Sequence, residues 1–145
     1  MNDLAANEVS AETLTAWRSA ILTAEFEDGA VVHPQRIAAH FACPVYMLTA
    51  WNPGALQRDV ASNEEASLRL KADLHLRGAS HIYPGVGSDS SSSPSPWEEH
   101  GFVVVGLDRK AIKELGRQYG QVAVYEFEGS KTRVVWCVGD AVVEI

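Results

Sequence analysis

Apolar residues recur along this chain at two rhythms, every second position and every third or fourth. The switches between them mark out the elements. Leu14, Trp17 and Ile21 fall at helical spacing and predict a helix that starts at Ala11 with Ser10 as its cap. Residues 23–27 alternate, Asp28-Gly29 is a hairpin dipeptide, and residues 30–32 read as the returning strand. Pro34 opens a short helix over 35–41, with Ile37 and Phe41 on one face. A buried strand over 45–51 stops at Pro53, which lacks an N–H and biases Asn52 toward extended backbone. Ser62 and Glu65 make a capping box for a helix over 63–77, striped by Ala66, Leu70 and Leu74 and ended by Gly78. A brief strand follows over 80–83.

Residues 85–96 are Gly, Ser, Pro and Asp with a single Val, the composition of a flexible surface loop. The apolar run over 102–107 then predicts a central strand. Asp108 caps a helix whose buried side carries Ile112, Leu115 and Tyr119. Residues 121–127 and 132–138 alternate about Gly129 as a hairpin, and 141–145 read as an edge strand.

From Val45 onward the order is strand, helix, strand, strand, helix, strand, with an added hairpin strand. This predicts an α+β ferredoxin-like βαββαβ sandwich over residues 44–145, with an N-terminal helix and hairpin over 1–43 packed on it as one globular unit. Right-handed crossovers would set the first and third strands antiparallel at the centre, with the fourth beside the first. Asn52, Glu98, Glu99 and Gln121 would then meet on one rim, beside Ser62 and Asn63 at a helix start.

The chain has 145 residues, 46% of them apolar, enough for one domain with a real core. Twelve basic and nineteen acidic residues give a formal charge of −7, which disfavours nucleic acid as a partner. Apolar runs fall short of the roughly 20 residues that span a bilayer, so no membrane role is expected. Residues 1–10 carry two acids and no Lys or Arg, unlike a secretory leader. These features point to a cytoplasmic protein. Cys43 and Cys137 lie far apart beside apolar residues and read as buried thiols, and no Cys/His spacing suits a metal.

Thr49-Ala50-Trp51-Asn52-Pro53, Ser62-Asn63-Glu64, Trp97-Glu98-Glu99 and Tyr119-Gly120-Gln121 together resemble the bacterial family known as domain of unknown function 3293. The resemblance covers roughly 45–138. It implies a bacterial, stand-alone cytosolic domain and brings no catalytic residue or cofactor with it. The Ser-rich stretch over 88–96 departs from the family's pattern.

Each polar residue on the expected rim has a plain structural alternative. Asn52 is also a common turn residue, and Ser62 with Glu65 a common cap. Glu98 and Glu99 are candidate acid/base or cation-holding groups beside Trp97, and alternation on a strand lets only one of them enter a site. Asn52, Asn63, Gln121 and Trp97 would contact the ligand. The five histidines show no HExxH spacing, Gly-x-Ser-x-Gly is absent, and Gly85-Val86-Gly87 lacks the Lys of a phosphate loop. The expected function is a polar pocket that binds a small molecule and, in its stronger form, acts on it. The alternative is an interaction or regulatory module that works through a homodimer or another protein partner.

Overall fold

A computed structural model describes residues 11–89 and 97–145. Its class is α+β. Four helices accompany an eight-stranded sheet, in which all neighbouring strands run antiparallel. In chain order the elements are α1 (Ala11–Ser19), β1 (Ile21–Glu25), β2 (Val31–Val32), α2 (Pro34–Phe41), β3 (Val45–Thr49), α3 (Val60–Leu76), β4 (His81–Ser88), β5 (Glu98–Val105), α4 (Arg109–Gln118), β6 (Ala123–Glu128), β7 (Lys131–Trp136) and β8 (Val142–Glu144). Across the sheet the order is β2-β1-β4-β5-β3-β6-β7-β8.

Both faces of the sheet are covered, which explains why β3 is apolar at every position from Val45 to Leu48. Tyr46 and Leu48 face α3 and α4, where they join Leu70, Leu74, Ile112 and Leu115. Val45 and Met47 face the other way, with Leu22, Ile37, Val103 and Phe127. The core side chains Leu70, Leu74 and Ile112 are fully buried, each stabilising by about 1.5–3 kcal/mol. The sheet is curled: Leu22 of β1 and Val134 of β7, with four strands between them in the order, line one cavity. Trp17 of α1 closes against Trp136 edge-on, with ring centroids 5.5 Å apart.

Several expectations are corrected. Ile21 is not on the first helix but opens β1, since the helix ends at Ser19; Ser10, its expected cap, lies outside the described residues. The third helix begins at Val60, and Asp59 caps it by accepting from Ser62 N–H at 2.7 Å. Glu65 pairs with Arg69 one turn on instead of reaching back. The fourth strand runs on to Ser88 through Gly85 and Gly87, because β1 and β5 flank it and satisfy its backbone. Of the expected loop, residues 90–96 lie outside the described residues. Cys137 is buried, but Cys43 is only half-buried.

Candidate functional site

The strand β3 ends in a turn held by side-chain amides. Thr49 Oγ1 donates to the His100 carbonyl at 2.6 Å and accepts the Trp51 N–H at 3.0 Å. Asn52 comes next and adopts left-handed backbone, φ 50° and ψ 58°, where extended backbone was expected. The pre-proline bias is overcome because Asn tolerates this region and its side chain is fixed on every side. Asn52 N–H donates to Asn63 Oδ1 at 3.0 Å, and Asn63 Nδ2 donates back to Asn52 Oδ1 at 3.0 Å. Arg58 N–H donates to the same Asn52 oxygen at 3.0 Å. This leaves Asn52 Nδ2 to donate to Glu99 Oε2 at 2.8 Å.

Gln121 holds the turn from the other side. Its Nε2 donates to the Trp51 carbonyl at 3.0 Å and to the Tyr119 carbonyl at 3.3 Å. Gly54 N–H donates to the Gly120 carbonyl at 2.7 Å. A side chain on Gly120 would approach Pro53 Cβ to 2.7 Å, and its φ is +72°, so both contact and conformation require glycine. The two turns are interlocked.

Asn52, Glu99, Gln121 and Trp97 line a cavity of about 170 Å³ on the side of the sheet away from α3 and α4. Its remaining walls are mostly apolar or aromatic, among them Trp17, Leu22, Met47, Tyr125 and Val134. Gly87 and Gly101 also line it, and at Gly87 a Cβ would have ordinary contacts with Leu22 at 3.5 Å and Trp97 at 3.9 Å. At Gly101 a Cβ would lie 2.3 Å from the Leu48 carbonyl oxygen.

Among the described residues, Glu99 is the sole acidic or basic one lining the cavity. Burial raises its carboxyl pKa above the usual value, and the Asn52 hydrogen bond lowers it by less. Tyr125 is pushed up as well, by burial and then by the Glu99 charge, and its hydroxyl donates to the Trp17 carbonyl at 3.2 Å. Among the described residues nothing donates to the second carboxylate oxygen, Oε1.

The other expected site residues are placed elsewhere. Glu98 points to the opposite face, where it pairs with His100 at 2.9 Å, because adjacent strand residues alternate. His100 in turn lies 4.9 Å from the Trp51 ring. Asn63 is 2% exposed and stands behind Asn52 as its support, outside the cavity lining. Trp17, Tyr125 and the two glycines were not singled out by sequence. Gly101 carries a weak signal, since it directly precedes the apolar strand run over 102–107, whereas Gly87 falls in a stretch with the composition of a loop.

A second polar cluster went unnoticed in the sequence. Glu126, 2% exposed, accepts from Arg109 at 2.7 and 2.8 Å, from Arg133 at 2.9 Å and from Tyr46 Oη at 2.7 Å. Burial works against its charge, but these bonds outweigh it and hold the pKa at about 2. Every oxygen is satisfied, so this cluster locks α4 to β3, β6 and β7 and has no free valence for a ligand. Its signal was an acid in an apolar strand opposite Arg133 in register.

Residues 48–124, more than half of the chain, match the family described as "Protein of unknown function (DUF3293)". The chain belongs to this family. The matched stretch contains Asn52, Asn63, Trp97, Glu99 and Gln121, and so all of the turn-and-carboxylate assembly. Neither a curated protein nor a solved structure matches the chain. Within the described residues no helix is long and apolar enough to cross a membrane, and no three His, Cys, Asp or Glu side chains are grouped to hold a metal.

Proposed function

We propose that this DUF3293 protein binds a compact small molecule in the cavity beside Glu99. The observation that carries the reading is a carboxylate held at 2.8 Å by an immobilised amide, with its other oxygen unbonded among the described residues, in an otherwise uncharged cavity. Glu126, by contrast, is satisfied at both oxygens. At about 170 Å³ the cavity is on the scale of the roughly 150 Å³ engineered cavity that takes up benzene, so the ligand is about ring-sized. Turnover is the catalytic form of the same reading. A carboxyl whose pKa is raised by burial has the property that a general base requires.

A thermal-shift screen of small metabolites tests the reading on wild type, Glu99→Gln, Gly87→Val and Glu98→Ala. Gly87→Val takes up part of the cavity, since a Cβ there meets its lining residues Leu22 at 3.5 Å and Trp97 at 3.9 Å. A ligand of this site stabilises wild type and Glu98→Ala but not the other two. Stabilisation that persists in Gly87→Val rejects the site.

The partner-surface alternative has weaker support. Exposed apolar residues Val60, Leu68 and Leu76 occur along α3, but steps of eight residues rotate each about 80° from the last, so they form no single stripe. We further propose that β3, α3, β4, β5, α4 and β6 constitute a ferredoxin-like unit; the spatial order β4-β5-β3-β6 supports this. A bacterial, cytoplasmic setting is the accompanying proposal, supported by the acidic charge and the free thiols.

A further inference from the structure

The Glu99 carboxyl lines the cavity with no cationic side chain beside it among the described residues. None of its lining residues is Lys, Arg or His, and residues 1–10 and 90–96 contain no Lys, Arg or His either. The donor that reaches the Glu99 carboxylate among the described residues is a neutral amide. Partial removal of a carboxylate from water without a counter-charge costs free energy, and a cation bound beside it would offset that cost. Trp17, Trp97 and Tyr125 line the same cavity, and aromatic ring faces attract positive charge.

An inorganic cation suits the site poorly. Calcium takes six to eight oxygen ligands and magnesium near-octahedral geometry. Here one carboxylate lines the cavity, and the Asn52 carbonyl oxygen is already taken by Asn63 and Arg58. A ligand carboxylate would face Glu99 with like charge. Apolar walls such as Leu22, Met47 and Val134 call for a hydrocarbon body.

We propose that the cavity takes a compact organic cation, a primary ammonium on an apolar body of about ring size. The ammonium donates to Glu99 Oε1, and the body lies among Trp17, Trp97, Tyr125 and Leu22. This rests on the pocket reading above and adds the sign of the ligand's charge. Asn52 keeps the second carboxylate oxygen occupied, which aims Oε1 at the ligand.

The experiment is calorimetry at neutral pH with three probes of one shape: benzylamine, benzyl alcohol and benzoate. Each is titrated into wild type, Glu99→Gln and Gly87→Val, with circular dichroism to verify folding. The expected result is saturable benzylamine binding to wild type, weaker by about tenfold or more in Glu99→Gln and lost in Gly87→Val. Benzyl alcohol and benzoate bind at least tenfold more weakly than benzylamine. Equal or tighter binding of either neutral or anionic probe, lost in Gly87→Val, overturns the cation assignment while the pocket stands. Benzylamine binding that is unchanged in Glu99→Gln overturns it too. Binding that is indifferent to Gly87→Val overturns both readings. No saturable binding of any probe overturns the ligand class proposed here, and the metabolite screen then judges the pocket separately.

Discussion

Replacing Asn52 tests the turn on which the candidate site is built. Its side chain donates one hydrogen bond to a carboxylate and accepts two others, from Arg58 N–H and Asn63 Nδ2. A bond to a charged group contributes about 1.5–3 kcal/mol and a neutral one about 1 kcal/mol. Because the residue is half-exposed, water replaces part of what is lost, and Asn52→Gly is expected to cost about 3 kcal/mol. Asn52→Ala loses the same bonds and must also hold φ at 50° with a Cβ, a further cost of about 1 kcal/mol relative to glycine. Urea denaturation of both variants reads these differences directly, and a thermal melt reports about 4 °C per kcal/mol for a chain of this size. Two results would refute the reasoning. A cost below about 1 kcal/mol for Asn52→Ala means that the amide network does not hold the turn. Alanine equal to or better than glycine means that the left-handed backbone is not adopted.

Glu99→Gln is expected to be more stable than wild type near neutral pH. A raised folded-state pKa means that the charged form is disfavoured on folding, so the variant's advantage shrinks as pH falls toward the unfolded carboxyl value of about 4.3; melts at several pH values check it. Glu126 has the opposite sign. Its folded pKa of about 2 lies below the unfolded value, so its contribution is present above about 4.3 and lost as pH falls toward 2, and Glu126→Gln should lack that component in an acid titration. Gly101→Ala should destabilise by about 2–3 kcal/mol in urea, because its Cβ would meet the Leu48 carbonyl oxygen at 2.3 Å; a neutral result refutes that close approach.

The strand and helix rhythms were legible because both faces of the sheet and one stripe of each helix are buried, and burial is written into the spacing of apolar residues. From those rhythms came the hairpin of β1 and β2, the helix after Pro34, the cap at Asp108 and the paired strands β6 and β7. The likeness to the family rests on short local motifs in the same way. Segments set by partners were not legible locally. Gly85-Val86-Gly87 looks like loop until β1 and β5 supply its hydrogen bonds, and Asn52 reads as extended until Asn63, Arg58 and Glu99 grip its amide. Alternation said that one of Glu98 and Glu99 could enter a site, but which one depends on how the sheet packs its two faces. Curling of the sheet decided the rest. It brings β1 toward β7 and lines one cavity with Trp17, Tyr125, two glycines and a single carboxylate, a meeting of residues that no local pattern encodes.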